Sequence, residues 1–207
     1  MTAPGWSVRL YERAAVEPLI GWGSWLSQAA LLALVALYLA AGVFAVLRRT
    51  PSPSPRRRRL VGLVAGGLAA ALAYGLNLLL KDLFAEVRPC HLHDIVSACP
   101  PPDDWSFPSN HTVIAFALAV GLAAAAPRLA WPAVFLAVLA GSARVLAGDH
   151  YPHDVLAGAA VGTVLCLAAL AVAGSRGPRG ADAPARAGPD GGAPIRPGRS
   201  PRTRWSR

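Results

Sequence analysis

The strongest constraint on this chain is a block of 24 residues, 24 to 47 (SWLSQAALLALVALYLAAGVFAVL), with no charged side chain. A second block, 60 to 80 (LVGLVAGGLAAALAYGLNLLL), is equally free of charge. Each reaches the roughly 20 residues a helix needs to cross a hydrocarbon core of about 30 Å, where a backbone must satisfy its own polar groups. Such blocks argue against a soluble domain and predict membrane-spanning helices. Three further apolar runs follow at 112 to 126, 129 to 147 and 155 to 174, the first of them short and beginning nearer Ser109. Pro132 falls near the start of the fourth, where a missing backbone N–H does little harm. The expected fold is all-α: a polytopic membrane helix bundle of about five transmembrane helices plus an N-terminal interfacial helix.

The charge distribution orients that bundle. Of the twenty basic residues behind the net charge of +9, six arginines lie in RRTPSPSPRRRR (48 to 59), one is Arg128, and eight follow residue 175. The positive-inside rule makes those segments cytoplasmic and puts the N-terminus, the 81 to 111 loop and the 148 to 154 loop outside. Nine of the eleven acidic residues fall on the outer side, which is consistent. Basic stretches placed in this way meet anionic headgroups, so membrane lipids are the expected partners and nucleic acid is not. The first apolar block starts too late and runs too long for a cleaved signal peptide, and Trp22 and Trp25 read as interfacial anchors. Residues 6 to 19 mix charges with Trp, Leu, Tyr and Val at helical spacing, as either an interfacial helix or a frayed end.

Polar chemistry gathers beside the outer loops. All five histidines (91, 93, 111, 150, 153) lie there, with Lys81, Arg88, Ser109, Arg144 and the aspartates of DHYPHD, 149 to 154. Ionisable groups at span ends are costly to desolvate, and a cluster drawn from several helix ends is a site by default. In KDLFAEVRP, Lys81 and Arg88 are seven residues apart, about two helical turns, so one continuous helix would point both to one side until Pro89 stops it. Snorkelling toward water explains such a pair equally well, but Lys81 is the chain's only lysine, which suggests a compact point charge.

In SFPSNHT, the proline and serine open the third span and expose helix N–H groups suited to an anion. Ser109 either caps that helix or bonds the anion, and His111 sits within its first turn. Asp154 falls in the first turn of the fifth span if Pro152 starts it, and can reach back to hold an N–H of His150, leaving the other ring nitrogen nucleophilic. Three cations with helix N-termini describe a phosphoryl receptor; two histidines supply a nucleophile and a proton donor. No dense carboxylate cluster that would hold magnesium is evident, so no metal and no cofactor is expected.

These residues resemble a known family. Lys81 and Arg88-Pro89, then Pro108-Ser109-Asn110-His111, then Arg144, His150 and Asp154 are similar to the three-part signature of the type-2 phosphatidic-acid phosphatase superfamily. The resemblance implies a phosphohistidine mechanism, with His150 as nucleophile, Asp154 as its orienting partner and His111 as general acid. Lys81, Arg88, Ser109, Asn110 and Arg144 would bind the substrate. Two positions depart from the usual pattern: Asn110 where the family usually has glycine, and Ala143 where it usually has serine. Asparagine tolerates unusual backbone angles, and losing the serine removes one hydrogen bond.

The compact size and DHYPHDVLAG look most similar to bacterial undecaprenyl diphosphate phosphatases of the bacitracin-resistance type. This implies a bacterial plasma-membrane enzyme working on the extracytoplasmic side on a polyprenyl phosphate or diphosphate. Phosphatidic acid or phosphatidylglycerol phosphate would fit the same chemistry. The expected organisation is an interfacial segment (1–23), a membrane phosphatase domain (24–174) and a disordered basic cytoplasmic tail (175–207).

Two rivals and a disulfide complete the expectations. A metal-dependent hydrolase would use Cys90, His91, His93 and Asp94, whose spacing matches no established zinc site. A lipid or ion transporter would need binding groups near the midplane, where only Asn77 and Thr163 stand out. Cys90 and Cys99, both in the outer loop, either form a bridge or remain free, and Cys166 reads as inert core. His91, His93 and His153 read as headgroup contacts or plain loop residues.

Overall fold

The computed structural model of the chain describes residues 3–15, 17–47, 53–93 and 99–175. Asp94, the basic run 48 to 52 and the tail expected to be disordered fall wholly or, for the tail, from residue 176 onward outside the described residues. So does a second unit, Gly177–Arg207.

Among the described residues, seven α-helices follow in order: α1 (Gly5–Ala14), α2 (Glu17–Leu47), α3 (Pro53–Phe84), α4 (Pro89–Leu92), α5 (Asn110–Ala125), α6 (Ala130–Leu146) and α7 (Pro152–Ser175). A 3-10 turn, Pro127–Leu129, joins α5 to α6. Among the described residues, four segments, Leu19–Leu47, Arg56–Leu92, Pro127–Leu146 and Pro152–Ser175, are long and apolar enough to cross a membrane.

The expected third span, α5, has 16 residues, about 24 Å of helix. Its shortness has a packing reason. α5 contacts α2, α3, α6 and α7, so its flanks are covered by protein and need not match the thickness of the lipid.

The interior is small and the exterior is large, the reverse of a soluble core. Ala73, Ala115, Ala117, Ala133, Ala137 and Ala140 are fully buried, whereas Leu39, Leu72, Leu79, Phe135 and Leu156 are exposed around the bundle. Helices in lipid gain nothing by hiding leucine from water, and they associate where small residues let backbones approach. A Cβ on Gly162 of α7 would lie 2.2 Å from the Val113 carbonyl oxygen of α5, and the Cα atoms of Gly66 and Gly121 face one another across α3 and α5. Trp22 and Trp25, 69% and 66% exposed, stand out from the first turns of α2.

One end of the bundle carries the polar groups. α1 lies across it: Tyr11, fully buried, donates its hydroxyl to the Gly148 carbonyl at 3.2 Å and packs edge-on against Tyr151 at 5.3 Å. Cys90 and Cys99 form a disulfide that ties α4 to the loop before α5. This removes Cys90 from the metal-ligand set considered above. His91 bonds the Pro100 carbonyl at 2.9 Å, and His93 packs on Tyr11 at 5.4 Å.

Candidate active site

Three segments meet at the polar end: 81 to 93 from α3 and α4, 99 to 112 leading into α5, and 144 to 154 joining α6 to α7. Each arrives for a local reason. Pro152 starts α7 and places Asp154 in its first turn, where Oδ2 accepts the Tyr151 backbone N–H at 2.8 Å in a capping-box geometry. Gly148, with φ of 76°, supplies the left-handed step between Arg144 and His150. Ser109 occupies the N-cap position of α5 without accepting a helix N–H through its side chain; its Oγ accepts instead from the Thr112 hydroxyl of the first turn at 3.2 Å.

Lys81 and Arg88 converge by a different route from the one the heptad spacing suggests. α3 ends at Phe84, Ala85 takes a left-handed φ of 44°, and Arg88 stands in extended backbone before α4. The two cations meet because both grip Asp104. Lys81 Nζ lies 2.7 Å from Asp104 Oδ1, Arg88 Nη2 lies 2.9 Å from Oδ2, and Arg88 Nε donates to the Asp104 carbonyl at 2.6 Å. Lys81 also bonds the Trp105 carbonyl. Burial opposes ionisation of Asp104, but Lys81 and Arg88 outweigh it and hold the carboxyl below the ordinary carboxylate range.

The third cation, Arg144, pairs with Asp149 at 2.8 Å, while its buried Nε has no hydrogen-bond partner among the described residues. All three cations are thus paired with carboxylates, Lys81 and Arg88 with Asp104 and Arg144 with Asp149, both of them on loops at the polar end of the bundle.

His150, 2% exposed, lies at the centre. Arg88 Nη1 approaches its Nε2 at 3.1 Å. A guanidinium can only donate, so Nε2 presents its lone pair and the proton of the neutral ring sits on Nδ1. On that side Asp154 Oδ2 stands at 3.3 Å and Ser106 Oγ at 3.4 Å, and Ser106 donates its hydroxyl to the same Oδ2. Burial first, then the charges of Arg88, Arg144 and Lys81, push His150 well below the usual histidine range. The ring is therefore neutral at pH 7.

His111 is near enough for its charge to weigh on His150, and its Nε2 meets Gln28 Oε1 of α2 at 3.2 Å. Asn110 is the first residue of α5, and Ala85 is the only non-glycine at positive φ among the described residues. Tolerance of unusual backbone angles is thus not what position 110 requires. The side chain accepts from Asn77 Nδ2 at 2.6 Å, and the same amide donates to the Pro108 carbonyl at 3.0 Å. Asn77, the residue a transporter would use, thus holds the turn into α5 through Nδ2, while its buried Oδ1 has no hydrogen-bond partner among the described residues.

Asp104, Ser106, Glu86 and Gln28 were not singled out from sequence. The pair Asp103-Asp104 before SFPS was the available signal for the first. His153 differs from its expectation as a headgroup contact or plain loop residue: its Nε2 lies 3.0 Å from Glu86 Oε1 and 3.2 Å from Asp154 Oδ1.

A family model described as the PAP2 superfamily matches residues 62–178, more than half of the chain. The chain belongs to the PAP2 superfamily. Undecaprenyl-diphosphatase BcrC of Bacillus subtilis is 31% identical over 99 residues, 48% of this chain and 51% of that protein. Decaprenylphosphoryl-5-phosphoribose phosphatase of Mycobacterium tuberculosis is 39% identical over 124 residues, 59% of this chain and 66% of that one. The matches span between about half and two thirds of these relatives' length.

A crystal structure of a transmembrane PAP2-type phosphatidylglycerolphosphate phosphatase from Bacillus subtilis covers 83% of this chain and 94% of its own, at 23% identity and a TM-score of 0.44. With its apolar helices, this PAP2 protein is an integral membrane protein. The PAP2 match includes Lys81 through Asp154 and leaves out α1 and α2.

Proposed function

We propose that the protein is a metal-independent lipid phosphatase that hydrolyses a polyprenyl phosphate or diphosphate through a phosphohistidine. The observation that carries this reading is the state of His150: neutral, with the Nε2 lone pair turned toward a cationic pocket and the Nδ1 proton toward Asp154. Nε2 attacks phosphorus, the bond from phosphorus to the lipid-side oxygen breaks, and His111, entering the step as the imidazolium that a bound phosphate anion favours, gives that oxygen its proton. Water then attacks the phosphohistidine, His111 takes a proton from it, and inorganic phosphate leaves with Nε2 restored. Lys81, Arg88 and Arg144 bear the charge that builds on the phosphoryl oxygens, with Ser109 beside them; Asn110 acts through the turn it holds.

The names of the relatives favour a polyprenyl substrate, and phosphatidic acid or phosphatidylglycerol phosphate is the alternative. The positive-inside rule assigns the site to the extracytoplasmic face of the plasma membrane. The deciding experiment offers the purified protein polyprenyl diphosphate, polyprenyl phosphate, phosphatidic acid and phosphatidylglycerol phosphate side by side, with chelator present. Phosphate release from the polyprenyl substrates, blocked by vanadate, is the expected result. No release from any of the four overturns the reading.

Asp104 supplies a second test. Its carboxylate occupies the position a phosphoryl group needs between Lys81 and Arg88, and 44% of its side chain is exposed, so it can swing away as substrate enters. A half-exposed pair of this kind is worth about 1 kcal/mol, and removing the competition tightens anion binding about 5-fold. Asp104→Asn should therefore lower the inhibition constants of inorganic phosphate and vanadate by that factor. Unchanged constants would mean that the phosphoryl group sits elsewhere.

A further inference from the structure

Asp154 has two carboxylate oxygens, and the reading above uses one. Oδ2 serves His150, Ser106 and the Tyr151 N–H. Oδ1 points the other way, to His153 Nε2 at 3.2 Å, and that nitrogen also lies 3.0 Å from Glu86 Oε1. Asp154 is fully buried and Glu86 is 2% exposed. Neither Asp154 Oδ1 nor Glu86 Oε1 has a hydrogen-bond partner among the described residues; His153 Nε2 meets both at ion-pair distance, outside hydrogen-bond geometry. Ionised carboxylates only accept, so a proton on Nε2 lies between these two buried oxygens and shields one from the other.

The His153 ring is itself fixed. It lies between Phe107 at 5.5 Å and Tyr151 at 5.7 Å, both nearly parallel to it. Its Nδ1 meets Ser7 Oγ at 2.9 Å, and its backbone N–H donates to the same oxygen at 3.2 Å. Ser7 is fully buried on α1, outside the region the PAP2 model matches.

We propose that His153, clamped between Glu86 and Asp154 and tied to Ser7 of the N-terminal helix, is a positioning residue that locks the Asp154 carboxylate and, through it, the ring of His150. The physics is rotational. A carboxylate anchored at one oxygen alone turns about its Cβ–Cγ bond, and without the Nε2 proton Asp154 would also face Glu86 unshielded. Either change takes Oδ2 off Nδ1 and lets the imidazole adopt the tautomer whose Nε2 is protonated and cannot attack. The consequence for turnover rests on the phosphatase reading; the consequence for the tautomer does not.

The test uses the full chain in lipid nanodiscs with 15N-labelled histidine. His153→Phe keeps the stacked ring and removes the donor; His153→Gln returns an N–H near the place of Nε2. In wild type, His150 shows a protonated Nδ1 and a bare Nε2. In His153→Phe it shows a mixture of tautomers, kcat falls about 10- to 100-fold with KM within about 2-fold, and His153→Gln recovers most of both. In an Asp154→Asn background the same substitution has little further effect, because the residue acts through that carboxylate.

An unchanged His150 tautomer in His153→Phe overturns the proposal, as does a full additional loss in the Asp154→Asn background. Glu86, His153 and Asp154 also have the ligand types for a cation; a change in the His153 signals on exhaustive chelation would mean that a metal holds the carboxylates, and would overturn it too. Wild type that releases no phosphate while the tautomer shifts as described refutes the phosphatase reading and leaves the positioning chain standing. Should His153→Phe fail to insert, Ser7→Ala, which frees Nδ1, gives the same comparison.

Discussion

Alanine at position 150 is expected to lower phosphate release by at least about 10⁴-fold, with the protein still inserted and melting near the wild-type temperature. The loss is large because nothing nearby can replace the ring. Ser109 and Ser106 are buried and already bonded, and His111 meets Gln28 on α2. The cavity left behind is lined by Arg88, which keeps its bonds to Asp104 and to the Asp149 carbonyl at 3.2 Å, so the fold loses little.

The pH profile carries the same assignment. A histidine whose folded value lies well below 6.5 is neutral and competent at pH 7, and loses its lone pair only as pH falls through that lowered value. Turnover should hold level from neutrality down past pH 6.5 and then fall with unit slope, as long as binding is saturated. An acid limb centred at or above the ordinary histidine value would assign the nucleophile elsewhere, as would near-normal turnover by His150→Ala.

The fold was legible where length and charge alone decide it. Twenty-four uncharged residues can hardly be anything but a span. The centrality of α5 was not legible, because an apolar run of 16 residues reads the same whether lipid or protein surrounds it; only the facing glycines, Gly66 against Gly121 and Gly162 against Val113, reveal the packing. At the site, Asp154 could be placed from Pro152, since helix-start chemistry is local. Lys81 and Arg88 could be paired but not by the right geometry: the break at Ala85 carries no glycine or asparagine to announce it.

Asp104 and Glu86 escaped notice for a further reason. A carboxylate in an outer loop looks solvated until the fold sets it against a cation, and here Glu86 reaches His153 across 67 positions of sequence, a distance no periodicity encodes. Ser106 and Gln28 are small polar residues of kinds found in any loop or span, and only their partners give them meaning.

Arg88 is where the two halves of the site are joined, and its replacement by lysine should cost about 10²- to 10³-fold in kcat/KM even though the charge is kept. The guanidinium makes four contacts in different directions: Nε to the Asp104 carbonyl at 2.6 Å, Nη2 to the Asp104 carboxylate at 2.9 Å, and Nη1 to both His150 Nε2 and the Asp149 carbonyl at 3.1 Å and 3.2 Å. The loop before α5 and the α6–α7 hairpin are thereby held to a common centre. An ammonium on a flexible stem can answer one or two of these and cannot hold the fork that fixes both.

With lysine at 88, Asp104 should remain paired through Lys81 and the protein should stay folded, but His150 Nε2 loses the donor that fixes the direction of its lone pair, and the transferring phosphoryl group loses a bidentate partner. The expected split is therefore mainly in kcat, with KM raised less than about 10-fold, since Lys81 and Arg144 still attract the anion. Lys81→Arg is the control: it keeps the charge at a position where an ammonium meets the Asp104 carboxylate and the Trp105 carbonyl and no guanidinium fork is needed. If Arg88→Lys and Lys81→Arg cost the same, charge alone matters at this site and the directional role of the guanidinium is wrong. If Arg88→Lys retains near-normal kcat/KM, phosphoryl transfer does not take place in the pocket these two loops enclose.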